Sequence, residues 1–167
     1  MRFVLYIAFI FFCFSANSQE WRDSLDIART AYKNKDYPKA MKYYESAQKK
    51  APDNVDLSDE MAQSSYKARE FEKAEKIYQQ NDASKKSNIQ KADNYHNLGN
   101  SRMKRKDYEG AIDAYKESLR KNPNDDKTRY NLSEAIRQLK NKQEQQNKDN
   151  QKDQQKDNKD QKDKEGD

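Results

Sequence analysis

The sequence predicts an all-α solenoid: three helix pairs, a C-terminal capping helix and a polar tail. Three observations predict it. The stretch KDYPKAMKYY (35–44) returns as REFEKAEKIY (69–78) and as KDYEGAIDAY (106–115), at offsets of 34 and then 37 residues. Each copy has an acid, an aromatic next to it, Ala three places later and Tyr four beyond that. Self-similarity at this interval is the mark of stacked helical units, none of which buries its apolar face alone. The chain is also 38% charged, so helices with narrow apolar stripes suit it better than a deep globular core. Finally, no apolar side chain occurs from Gln143 onward, which limits the folded part to about Trp21–Lys142.

Residues 1–18 read as a secretion signal. Arg2 precedes an unbroken apolar run, Phe3 to Phe14, which holds five of the six Phe and the single Cys13. A run of this length falls short of the roughly 20 residues that a membrane span needs. Ala16-Asn17-Ser18 offers a small-x-small cleavage site after Ser18. The expected mature chain is exported, periplasmic and free of cysteine, which excludes thiol catalysis, thiolate metal sites and disulfides. The alternative is an N-terminal membrane anchor left uncleaved.

Three units follow, 21–54, 55–91 and 92–125. The first carries Ile27-Ala28, Ala40, Tyr44, Ala47 and Pro52; the second Ala62, Phe71, Ala74 and Tyr78; the third Tyr95, Leu98, Gly99, Tyr108, Ala111, Tyr115 and Pro123. This pattern resembles the tetratricopeptide repeat, a 34-residue unit of two antiparallel helices. Small residues at Ala28, Ala62 and Gly99, and at Ala40, Ala74 and Ala111, are expected where helices cross closely. Asp36, Glu70 and Asp107 stand where each second helix begins and favour its positive end. Pro38 falls in a first turn, where its missing N–H is harmless. Pro52 and Pro123 close second helices. The three extra residues of the second unit lie in QQNDASKKSNIQKAD, read as a longer loop beside a shortened helix. A capping helix is expected over 126–142, with Tyr130, Leu132, Ala135, Ile136 and Leu139 on one face. The Gln/Lys/Asp-rich tail, 143–167, has nothing to bury and is expected to be disordered, with room for the preceding helix to run a turn or two into it. It carries a net charge of −2; with Arg2 in the leader, residues 19–142 carry +6.

Chemistry is sparse. His96 is the only histidine, and Gly99, Gly110 and Gly166 form no phosphate-binding loop. No catalytic residue, metal ligand or cofactor is expected, and a nucleic-acid or small-molecule partner is not expected either, since the charges are interspersed. The chain reads as a non-enzymatic protein-interaction scaffold. The resemblance places a concave groove along the first helices. Its positions are Arg22, Leu25, Arg29, Tyr32 and Lys33; Asp56, Asp59, Gln63, Tyr66 and Lys67; and Asp93, His96, Asn100, Met103 and Lys104. Two ladders stand out there, Tyr32–Tyr66–Met103 and Lys33–Lys67–Lys104, and they imply an acidic ligand with interleaved apolar residues. Chaperone-binding members carry a carboxylate clamp of Lys and Asn. Leu25 and Arg29 occupy those places here, so chaperone tails are not the expected ligand.

The signal, the ending TRYNLSEAIRQLK and the tail together resemble a component of the Bacteroides aerotolerance (Bat) group. That resemblance implies membrane-anchored von Willebrand A-domain partners, a MoxR-type ATPase system and a scaffold role in tolerance of oxidative stress. The competing expectation is an envelope-assembly or chaperone-like factor that binds unfolded segments through the groove.

Overall fold

Each copy of the repeated stretch begins at a short reversal between two helices, which turns on one left-handed residue, and continues as the second helix. The computed structural model describes residues 19–81, 84 and 86–164, with backbone alone at 149 and 151–164. In chain order the helices are α1 (19–33), α2 (Tyr37–Lys50), α3 (Ser58–Lys67), α4 (Phe71–Gln80), α5 (Asn88–Lys104), α6 (Tyr108–Lys121) and α7 (Asp126–Lys164). No strand occurs among the described residues. The fold is the all-α solenoid expected. The expected signal at 1–18, with Cys13, lies outside the described residues, as do 165–167. Among the described residues no helix is long and apolar enough to cross a membrane.

The reversals share one geometry. Lys35, Arg69 and Lys106 have φ of 62°, 67° and 62°. Around each, the N–H of the next residue reaches back five places: Asp36 to Ala31 (2.9 Å), Glu70 to Ser65 (2.9 Å) and Asp107 to Arg102 (3.0 Å). The left-handed residue itself donates to Tyr32, Tyr66 and Met103 respectively. This double bond pattern closes a helix on one left-handed residue and satisfies its last carbonyls. The acid that follows starts the next helix. The Asp36 carboxylate accepts from Lys39 N–H at 3.2 Å, and that of Asp107 accepts from Gly110 N–H at 3.1 Å. Glu70, one methylene longer, makes no such cap.

Packing follows the expected small residues. Ala28, Ala40, Ala62, Ala74 and Ala111 are completely buried, and Gly99 is buried against the Tyr115 ring. Three apolar clusters succeed one another: around Tyr44, around Tyr78 and around Tyr115. Serines supply further close approaches. Ser64 and Ser101 return their hydroxyls to Glu60 and Asn97 carbonyls one turn back, and Ser118 donates to the Ala92 carbonyl at 2.8 Å. In the second unit Leu57, not Ser58, fills the apolar place at the start of α3. α4 has 10 residues where α2 and α6 have 14, and ends before the longer loop.

Two expectations about α7 are corrected. The helix runs well beyond the turn or two expected past Lys142 and continues to Lys164, because neither Gly nor Pro interrupts it. Its expected apolar face is also narrower. Ala135 is buried and Leu132 and Leu139 are half-buried, whereas Tyr130 (70% exposed) and Ile136 (50%) face outward. Every residue from Lys140 to Lys148 is exposed. Nothing there anchors the helix by packing, which is the physical content of the expected disorder of the tail.

Candidate functional site

α3, α4 and α5 border a cavity of about 330 Å³ lined by Gln63, Tyr66, Lys67, Tyr78, Asn97 and Asn100. Four expected groove residues, Gln63, Tyr66, Lys67 and Asn100, therefore come together. Asn97 and Tyr78 were not expected there. Tyr78 is the repeated Tyr of the second unit, and its position marked it only as core.

Asn100 is held in a fixed orientation. Its Oδ1 accepts from the Tyr115 hydroxyl at 2.8 Å and from Asn131 Nδ2 at 2.9 Å. Both bonds go to the carbonyl end and leave the amide N–H₂ as the free donor. Burial raises the pKa of Tyr66; at Tyr78, burial and then the nearby Asp59 carboxylate push the phenol well above its ordinary value. Both phenols are neutral at ordinary pH. The cavity thus presents amides, phenols and one cation, Lys67: groups that hydrogen-bond a polypeptide and pair with a carboxylate.

The remaining expected positions lie outside this cavity. Leu25 is a core residue, because its side chain packs in the first cluster and is 7% exposed. The Tyr32–Tyr66–Met103 ladder is a packing feature as well. Tyr32 meets the Tyr37 ring edge-on at 5.5 Å, Tyr66 meets Phe71 at 5.3 Å, and Met103 packs on the third cluster. Tyr66 is consequently at a packing position in addition to lining the cavity. Lys33, Lys67 and Lys104 are exposed and are the last residues of α1, α3 and α5. Arg29 is exposed on α1. Arg22 lies over Trp21 at 5.6 Å. Asp56 accepts from Ser58 N–H at 2.9 Å at the start of α3, and Asp59 is paired to Lys86 at 2.8 Å. Asp93 is exposed.

His96 serves the junction with α7. Thr128 donates its hydroxyl to Asp125 Oδ2 at 2.5 Å, so its oxygen accepts from His96 Nδ1–H at 2.6 Å. Asp125 also takes the N–H groups of Lys127 and Thr128 and so caps α7. Burial lowers the His96 pKa, with Asp125 and Asp93 opposing that shift. Among the described residues no three His, Cys, Asp or Glu side chains gather as a metal site.

Stacked helix pairs with an amide-lined groove and one-residue reversals define a helical-repeat interaction module. Tetratricopeptide-repeat family models match residues 31–91 and 92–125, together more than half of the chain, and the chain belongs to the tetratricopeptide-repeat family. No curated protein matches the sequence. Among solved structures, the fold is similar to the first repeat domain of Spaghetti (RPAP3) bound to the HSP90 peptide SRMEEVD: TM-score 0.62, 20% identity, 73% of this chain and 94% of that one. The Sgt2 domain from Aspergillus fumigatus gives 0.62 at 22% identity, over 75% and 82% of the two chains. The first such domain of human RPAP3 gives 0.63 at 19% identity, over 76% and 98%. At these identities the likeness concerns the fold.

Proposed function

We propose that the chain is a non-enzymatic scaffold that holds a segment of a protein partner in the α3–α5 groove. The observation that carries this is the convergence of Gln63, Lys67, Asn97 and Asn100 on one cavity. Amide side chains satisfy a peptide backbone in either direction, and Lys67 favours an acidic residue beside it. Peptide-bound relatives of the same fold support a protein ligand. The finer reading is a periplasmic component of a Bat-type, BatC-like system linked to aerotolerance, with membrane-anchored von Willebrand A-domain proteins as partners. It rests on the leader, the TRYNLSEAIRQLK ending and the tail.

Pull-down from envelope extracts with wild type and a Gln63→Ala, Lys67→Ala, Asn97→Ala triple tests both levels. These side chains are chosen over Tyr66 because Tyr66 also packs on Phe71. The groove reading expects a fixed membrane partner to be lost from the triple while its melting midpoint is retained. Retention of the partner by the folded triple would remove the groove from the account. The neutral amide lining also suits the alternative, a chaperone-like factor for unfolded segments; capture of many unrelated clients would favour it.

A further inference from the structure

We propose that the edge of the solenoid formed by the three intra-pair turns docks on a layer of anionic lipid headgroups. Each turn is flanked by two cations, one at the last residue of the first helix and one at the left-handed residue. They are Lys33 and Lys35, Lys67 and Arg69, and Lys104 and Lys106. All six are exposed, and none joins an ion pair among the described residues. Since helix direction alternates along the chain, the three turns fall on one edge. A cleft lined by Arg69, Phe71, Lys73, Lys76 and Arg105, together with the acids Glu70 and Glu72, joins the second turn to the third.

Acids at this edge are engaged with their own helices. Asp36 and Asp107 cap α2 and α6, and Glu70 lies 3.9 Å from Lys73. With Glu72 and Glu109 in the first turns of α4 and α6, the edge holds five acids against the six turn cations, to which Lys73 and Lys76 add. The opposite edge is mixed: Lys49, Lys50, Arg120 and Lys121 stand among Asp53, Asp56, Asp125 and Asp126. The left-handed position adds a separate argument. It disfavours any side chain by about 1–2 kcal/mol, and Gly fits it best, yet all three turns place a long cation there. The charge therefore stands at the tip of each turn. A row of flexible charges at the turn tips suits a fluid charged plane better than a structured protein ligand. The edge meets the groove at Lys67, which also lines the cavity, whereas Lys35, Arg69 and Lys106 do not and so test the edge alone.

The test is co-sedimentation of the chain with vesicles of equimolar phosphatidylcholine and phosphatidylglycerol, against phosphatidylcholine alone. The triple Lys35→Gly, Arg69→Gly, Lys106→Gly is compared with Lys42→Gln, Lys49→Gln, Lys116→Gln, which removes the same charge from exposed sites elsewhere. Wild type is expected to bind the anionic vesicles selectively, and high salt should release it. The turn triple should lose about 100-fold in partitioning, at about 1 kcal/mol per cation near the surface, while the control triple loses less than tenfold. The melting midpoint of the turn triple should stay or rise; Asn at the same places gives a second folded triple if Gly loosens the turns. Equal losses in the two triples would reduce the effect to net charge and overturn the proposal. So would wild type that binds polyglutamate while ignoring the anionic vesicles, since the edge would then serve an acidic protein.

Discussion

Glu75 on α4 and Arg102 on α5 meet at 3.0 Å, carboxylate Oε1 to Nε, with Glu75 only 7% exposed. The same guanidinium donates from Nη1 to the Gly110 carbonyl at 2.9 Å, Arg105 takes the other carboxylate oxygen, and Gln79 donates to the first at 3.1 Å. One acid thereby ties the second helix pair to the third.

Breaking that tie should be costly from either side, but unequally. Arg102→Ala leaves Glu75 with Arg105 and Gln79, and the loss of a charged hydrogen bond should cost about 1.5–3 kcal/mol. Glu75→Ala strips both Arg102 and Arg105 of their shared anion, leaving Arg102 with Asp107 at 3.9 Å and the Gly110 carbonyl, and should cost about 3 kcal/mol, the lower end for a broken buried pair. Urea denaturation of both singles and the double gives the coupling. An unchanged midpoint for Arg102→Ala would show that the pair does not hold the repeats together.

The two helical glycines should respond oppositely to Ala. A Cβ at Gly99 would sit 2.5 Å from Tyr115 Cε1, and that ring is 1% exposed with its hydroxyl tied to Asn100. The ring has nowhere to move, so Gly99→Ala should destabilise by about 1–3 kcal/mol. At Gly110 the nearest atom is the Asp107 carboxylate, the end of an exposed side chain. Gly110→Ala should be close to neutral, with the gain in helix propensity offsetting a weakened cap. Thermal melts of the two variants side by side decide this.

The repeat interval and the small residues at crossings made the pairing of helices legible, since backbone approach leaves room for little else at Ala40, Ala74 and Ala111. The groove was legible only in part. Gln63, Lys67 and Asn100 follow from register alone. Tyr66 follows too, but its contact with Phe71 depends on the exact turn, which three residues of spacing do not reveal. His96 and Asn100 each bond to α7, to residues 32 and 31 positions later in the chain, and no local pattern signals such a partner. The full length of α7 is not legible in the sequence, because lack of apolar residues predicts lack of packing and does not say how far the helical backbone runs.

Lowering pH should weaken the α5–α7 junction. His96 has a folded pKa below its ordinary value because burial disfavours the imidazolium, so the folded state binds its proton less readily than the unfolded chain. The stability attached to the neutral ring is complete above about pH 6.5 and is lost as pH falls through that value toward the folded pKa. Denaturation midpoints at pH 7.5 and pH 5.0 should differ more for wild type than for His96→Gln, which keeps a donor toward Thr128 without titrating. Equal differences would assign the pH effect to the carboxylates.

The distal part of α7 should be helical without contributing to cooperativity. Residues 143–164 would extend about 33 Å as a helix at 1.5 Å per residue, and no side chain from Lys140 to Lys148 is buried. Without tertiary contacts, its helicity depends on helix–coil equilibrium, which is marginal at this length and weakened by the many Asn and Asp. Removing residues 143–167 should therefore leave the melting midpoint within a degree or two, since no buried apolar surface is lost. The far-ultraviolet helical signal of the full chain should exceed that of the truncated chain at low temperature. The excess should decline gradually on warming, well before the cooperative transition of the repeats. A midpoint that drops by many degrees on truncation, or an excess signal that melts together with the repeats, would mean that the distal helix packs on the solenoid.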